Sequence, residues 1–389
     1  MSILRKSSLN VASALLVTLA MLACSSNQKT VGQANGTDGS AAQGVDAVGP
    51  APVASNARQV AVEGLSGVTA IAAGWFHVCA ISVDGSVKCW GSNDHGQLGD
   101  GTSNDSETPV AVGNVSGAIA ITAGAQHTCV VLSDGTAQCW GDNTSGELGL
   151  GYTTTDWRSP VAVPGLSGAV SITAGVFHTC ALLSGGEIRC WGGDNLEGER
   201  GNPVMGKSTP VPVDGISGAI AVSAGRVHTC AAISDGTVQC WGSNDNGQLG
   251  NGSSDNGYSR SHPTPAEVGG ITDATSVAAG SDHTCALVAN GEVRCWGNNR
   301  AGDLGNGSTD DSYTPVAVSG LAGATMIAAG DGQTCALLSD GTVTCWGTRS
   351  LTPVPVDGIS DAIAVTMGSG FGCAVLSDKT VRCFGGYSW

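Results

Sequence analysis

The sequence predicts an all-β fold, a seven-bladed β-propeller of four-stranded blades whose last blade is closed by an N-terminal strand, and three observations carry that expectation. Cysteines recur in seven pairs with a constant spacing of ten. Cys79 pairs with Cys89, Cys129 with Cys139, Cys180 with Cys190, Cys230 with Cys240, Cys285 with Cys295, Cys335 with Cys345 and Cys373 with Cys383. Their first members are offset by 50, 51, 50, 55, 50 and 38 residues, and a period of that size in a β-rich chain indicates propeller blades or a solenoid. Glycine supplies 60 of 389 residues and charged residues only 12%. Short Val/Ile/Thr/Ala segments punctuated by Gly, Asp and Asn read as strands, and no long stretch carries a 3.6-residue apolar period.

In chain order, residues 1–23 read as a targeting segment. Arg5 and Lys6 supply a positive start, and Val11 to Leu22 an apolar run too short to span a bilayer, which needs roughly 17 to 25 residues. "MLACSSN" resembles a bacterial lipoprotein signal, with Cys24 the lipid-bearing first residue of the mature chain, although Met21 stands where that pattern usually has Leu. Residues 24–57 are small, polar and Gly-rich, unable to bury enough apolar area to order themselves. They form a leash with a reach on the order of 30 Å. Residues 58–389 hold the repeats.

One repeat reads as four strands. In the fourth these are "AIAVSAG" (219–225), "HTCAAI" (228–233), "TVQCWG" (237–242) and a "TPVAV"-type segment near the repeat's end. Strands apolar on both sides suit sheets packed face to face around a ring. Because the chain stops just after the third strand of the seventh repeat, residues 58–65 ("RQVAVEGL") are expected to supply that blade's outer strand and cover its open edge.

Counting outward from a three-residue Ser234-Asp235-Gly236 loop places Ile233 opposite Thr237 and Cys230 opposite Cys240. This is a non-hydrogen-bonded site with Cα atoms roughly 4.5 Å apart, within disulfide range. The competing reading is metal binding by His-x-Cys…Cys, since His77, His127, His178, His228 and His283 precede their cysteines by two. Gln333 and Phe371 replace the histidine while the cysteine pair persists, so disulfides are favoured and the histidines are read as structural, bonding the turn between the first two strands. The repeated tryptophans, such as Trp140 and Trp241, are read as blade packing.

"AGAQHTCVVLSDGTAQCWGDNTSGELGLG" (123–151) and "AGRVHTCAAISDGTVQCWGSNDNGQLGNG" (224–252) resemble the repeat of the regulator of chromosome condensation family, over about residues 58–386 in seven copies. The short seventh unit also resembles the secreted β-lactamase-inhibitory propellers of that superfamily. Eukaryotic members catalyse nucleotide exchange on a small GTPase; an exported chain does not meet such a partner, and that activity is the least favoured reading.

The net charge of −16 disfavours nucleic-acid binding. No nucleophile elbow, zinc-protease or phosphate-loop motif is present, and no catalytic residue, metal ligand or cofactor is assigned. The polar stretch 244–257 offers oxygens without a calcium-ligand register. Function is therefore sought on the face where loops vary between repeats. Its inner turns carry Trp75, Phe76, Gln126, Phe177, Arg226 and Asp282, and its outer loops Tyr152, Trp157, Arg158, Met205, Tyr258, Arg260 and His262. Aromatic and Arg side chains on a rigid loop face are those that anchor protein interfaces. In the inhibitory propellers the corresponding turns meet the partner protein, which marks Trp75, Phe76, Phe177 and Arg226; the alternative is that Trp75, Phe76 and Phe177 plug the mouth of the ring. The expectation is an exported, membrane-anchored, monomeric, non-enzymatic scaffold of the bacterial cell envelope that binds a protein, with an envelope-polysaccharide-binding or hydrolytic propeller as the alternative.

Overall fold

The computed structural model describes residues 59–202, 208–255, 261–348 and 350–386. The signal segment, the tether with Cys24, and Met205, Tyr258 and Arg260 lie outside the described residues. The described chain folds into seven four-stranded antiparallel sheets, and no α-helix occurs in it. Within each blade the strands are designated A to D from the ring centre outward. In blade four they are Ala219–Ala224, His228–Ile233, Val238–Gly242 and the short Ala266–Glu267.

The B–C hairpin has the register expected from its loop. Ile233 N donates to Thr237 O at 2.9 Å, and Gly236 at φ 89° supplies the left-handed residue the loop needs. The Asp235 carboxylate accepts from the Thr237 amide at 3.0 Å and hydroxyl at 2.7 Å, which holds the tip closed. Cys230 then falls opposite Cys240.

All seven expected disulfides form, each within its own blade. Cys79 is bonded to Cys89, Cys129 to Cys139, Cys180 to Cys190 and Cys230 to Cys240. Cys285 is bonded to Cys295, Cys335 to Cys345 and Cys373 to Cys383. The Cα separations are 3.9 to 4.1 Å, somewhat closer than the register alone suggests. The sulfurs belong to the core: Cys139 packs with Leu148 and Trp191, Cys190 with Val213 and Trp241, and Cys295 with Leu304 and Trp346. The bridges thus fill the space between sheets and are buried, except that Cys345 in blade six is only partly so.

The ring closes as the sequence predicts. Val60–Ala61 is the outer strand of the blade formed by Ala362–Met367, Phe371–Leu376 and Val381–Gly385. Val60 lies opposite Cys383 and Ala61 opposite Arg382. The first and last described strands are thus joined in one sheet, which covers the edge that the last blade would otherwise offer to another chain.

The core is divided among the blade boundaries. Between blades one and two, Cys79, Ile81, Cys89, Leu98 and Val112 pack against Ala118, Ile121, Val130 and Trp140. Each sheet is covered on both faces, which is why its inner strands are apolar throughout and do not alternate. At the centre, seven glycines make the tight packing possible. A Cβ on Gly74 would collide with Gly124 O, and the same relation runs Gly124 to Gly175, Gly225, Gly280, Gly330, Gly368 and back to Gly74. Only a residue without a side chain fits at these points.

Candidate functional site

The A–B turns and C–D loops emerge on one face of the disc. The C–D loops are ordered by a buried asparagine that follows strand C. Asn93 Oδ1 accepts from Leu98 N at 2.9 Å while its amide donates to Asn104 O at 3.0 Å. Asn143, Asn244 and Asn299 repeat the arrangement with Leu148, Leu249 and Leu304. The oxygens of the polar stretch beginning at Asn244 are thereby used inside the loop, Asn244 Nδ2 donating to Ser253 O at 3.0 Å.

Each of these loops is tied to the next blade through one carbonyl. Gln97 O accepts from Trp140 Nε1 at 2.8 Å and from Thr128 Oγ1 at 2.9 Å, and Thr128 Oγ1 lies 2.8 Å from His77 Nε2. The single hydroxyl proton goes to the carbonyl, so the imidazole donates through Nε2 and is neutral. Its buried Nδ1 faces Gly74 without a hydrogen-bond partner. His127 with Thr179, His178 with Thr229, His228 with Thr284 and His283 with Thr334 repeat the link at the next four boundaries. Contrary to the expectation from sequence, the histidine side chains do not bond the A–B turn but reach a threonine of the next blade. That bond comes from the backbone, as where the His77 carbonyl accepts from Gly74 N at 2.9 Å. Burial depresses the pKa of His77, His127, His178 and His228 to about 3 and of His283 to about 4.

The carbonyl's own side chain differs between blades: Gln97 and Gln248 alternate with Glu147, Glu199 and Asp303. Burial, with Asp142 adding to it, raises Glu147 to about 8, and burial raises Asp303 to about 7. Sequence reading passed over these carboxyls. The signal was present in the same position of "GQLG", "GELG" and "GDLG".

On the inner rim of this face, Trp75 packs on Ala125 and Val176, and its ring meets Phe76 edge-on at 6.3 Å. Trp75 is half-buried, whereas Phe76 and Phe177 are each 47% exposed. Arg226 Nη2 lies 3.4 Å from Asp282 Oδ1, the guanidinium exposed and the carboxylate partly buried. Burial raises the Asp282 pKa, and Arg226 opposes that shift. Gln126 is partly buried on the same rim. Farther out, Tyr152 is half exposed, Trp157 packs on the core while its Nε1 donates to Thr154 Oγ1 at 3.1 Å, and the Arg158 stem lies against Gly96. His262 Nε2 is 2.8 Å from Asp255 Oδ2. The described candidates thus divide into an inner rim, on which Trp75 meets Phe76 and Arg226 meets Asp282, and separate outer positions.

Blade six has no such C–D loop, because Trp346-Gly347 runs almost directly into its strand D, Ser350–Pro355. Where the loops of blades one, two, four and five insert a leucine, an apolar cavity of about 60 Å³ remains, lined by Trp346, Val354, Met367, Phe371 and Phe384. In blade seven Phe384 replaces the tryptophan of the other blades, and with it the N–H that would need the missing carbonyl.

The regulator of chromosome condensation (RCC1) repeat matches residues 84–131, 134–182, 235–287 and 290–337, and a second description of the same repeat matches 68–97, 118–147, 169–199, 219–248 and 274–303. The chain belongs to the RCC1 repeat family. Among curated proteins, human E3 ubiquitin-protein ligase HERC2 is 52% identical over 50 residues, which is 12% of this chain and 1% of that protein. Among solved structures, Prp20p from Saccharomyces cerevisiae aligns with a TM-score of 0.69 at 20% identity, covering 83% of each chain. Human WBSCR16 aligns with a TM-score of 0.70 at 18% identity over 84% of this chain and 89% of that one. These likenesses establish the RCC1 propeller architecture. The disulfide in every blade is the chemistry of an exported or extracellular protein.

Proposed function

We propose that this RCC1-repeat propeller is an exported, non-enzymatic scaffold that binds a protein through the face carrying its A–B turns and C–D loops. The supporting observation is the pair Phe76 and Phe177, each 47% exposed on a rim whose backbone is fixed by the glycine ring. Burying two such side chains at an interface supplies on the order of 3 to 5 kcal/mol, and their rigid mounting limits the ordering cost. Trp75 packs edge-on against Phe76 and on Ala125 and Val176. The Arg226–Asp282 pair lies on the same rim and adds charge-based selectivity. The opposite face carries closed Asp-Gly tips such as Asp235-Gly236, whose polar groups already bond one another.

The lipidated Cys24 and the leash of residues 24–57 place the propeller at a bacterial membrane in this reading. Nucleotide exchange and ubiquitin transfer, activities of larger or intracellular proteins with this repeat, are not carried over.

The test is affinity capture from the producing cell's envelope by wild-type protein and by F76A/F177A, with mass spectrometry. One protein retained by the wild type and reduced at least tenfold by the variant, at unchanged melting temperature, is expected. Equal retention by both, or retention of glycan in place of protein, contradicts the proposal. Palmitate labelling of wild type but not of Cys24→Ala tests the anchor separately.

A further inference from the structure

At the boundary between blades one and two, three side chains converge that no other repeat combines. His95 comes from the C–D loop of blade one, Asp142 from the end of strand C in blade two, Ala137–Asp142, and Asp156 from the start of its strand D, Asp156–Ala162. One ligand atom from each lies within 4.8 Å of the others. His95 Nδ1 is 3.1 Å from Asp156 Oδ1. Asp142 is 7% exposed and accepts from the Thr144 amide at 2.9 Å and hydroxyl at 3.0 Å, so its carboxylate is oriented.

The electrostatics of this arrangement are unbalanced. Asp142 and Asp156 face each other directly across the C–D ladder, and like charges in that relation are destabilising. Among the described residues no Lys or Arg makes an ion pair with either of them. A third carboxyl lies beside them. In blade one, Gln97 Nε2 reaches Ser92 Oγ at 3.4 Å; in blade two Glu147 stands in the place of Gln97 and Asp142 in the place of Ser92. Glu147 is 1% exposed, uses Oε2 to accept from Ser145 N at 2.9 Å, and leaves Oε1 without a partner. Oε1 thus lacks the side-chain contact that Gln97 Nε2 makes at the position of Asp142, and the opposed carboxylates of Asp142 and Asp156 have only the His95 imidazole beside them, which makes this a site short of a cation.

We propose that His95, Asp142 and Asp156 bind one first-row divalent cation of the zinc type, with Glu147 behind them. Tetrahedral ligands at about 2.0–2.2 Å from zinc are roughly 3.4 Å apart, so the observed spacing needs only small rotamer changes. The proton between His95 and Asp156 occupies the place the ion takes, and binding releases it. An imidazole nitrogen with two carboxylates suits zinc or its neighbours better than calcium, which takes oxygen ligands. Three protein ligands leave one position to solvent, and the ion ties the blade-one loop to blade two.

The test is calorimetric titration of the EDTA-treated, dialysed full chain with ZnCl2, alongside His95→Ala and Asp156→Asn. One equivalent is expected to bind the wild type, with affinity reduced at least tenfold in each variant. Zinc should raise the melting temperature of the wild type and not of His95→Ala, while the metal-free proteins melt alike. Binding of calcium in preference to zinc, zinc affinity unchanged by both substitutions, or no wild-type binding above that of His95→Ala overturns the proposal.

Discussion

His127 Nε2 lies 2.9 Å from Thr179 Oγ1, across the boundary between two blades and 52 residues along the chain. The contact fixes the imidazole as a neutral donor, and burial holds its pKa at about 3 against an ordinary value of 6.5. The unfolded chain therefore takes up a proton below about pH 6.5 that the folded one refuses until about pH 3. The stabilising contribution is complete above the unfolded value and is lost as pH falls through this window.

Stability to urea is accordingly expected to fall from pH 7 to pH 5, each buried histidine contributing a loss on the order of 2 kcal/mol at pH 5. His127→Gln should reduce the slope of unfolding free energy against pH by about one proton. Gln333 already occupies the same position in blade six, so the variant is expected to fold. A slope equal to that of the wild type would mean that His127 is not buried neutral.

Glu147 has the opposite sign. Its pKa, raised to about 8 by burial and Asp142, favours folding while the carboxyl is protonated, and that contribution is lost as pH rises from the unfolded value through about 8. In metal-free protein, Glu147→Gln should stabilise by about 1–3 kcal/mol at about pH 8, with the gain vanishing near pH 5. Urea midpoints at the two pH values measure it.

The glycine ring gives a steric contrast. A Cβ at Gly225 would strike Gly280 O and the His228 ring, whereas one at Gly165 meets nothing within 4 Å and is disfavoured only by its φ of 72°. Gly225→Ala is expected to cost about 2–4 kcal/mol and Gly165→Ala about 1 kcal/mol. Thermal melts of the two variants should separate clearly.

What could be read from the sequence was local. The Ser234-Asp235-Gly236 loop sets the hairpin register, and from that alone Cys230 meets Cys240; the same counting brings Cys129 to Cys139, Cys180 to Cys190 and Cys285 to Cys295. Closure by the segment containing Val60 and Ala61 was legible because the last repeat lacks an outer strand. The His–Thr links were not, since His127 and Thr179 meet only when two sheets stack, and no pattern within one repeat points across that gap. His95, Asp142 and Asp156 were missed for the same reason. Each is a single departure from the repeat, and only the blade boundary brings them together. The candidate face was legible as a set of loops, but how half-buried Trp75 differs from exposed Phe76 and Phe177 depends on Ala125 and Val176 in neighbouring blades.

The disulfides carry the construction, since each bridges strands B and C of one blade and so fixes which loops share a face. Closing an 11-residue loop contributes at most about 2–3 kcal/mol in the chain-entropy model, so Cys230→Ala/Cys240→Ala should unfold at lower urea while keeping its fold. The most direct measurement is proteolysis under non-reducing conditions, followed by mass spectrometry, of protein isolated from its own cell. Seven intra-blade links are expected, Cys230 to Cys240 among them; links that join different blades, or free thiols at these positions, would contradict the stapled propeller.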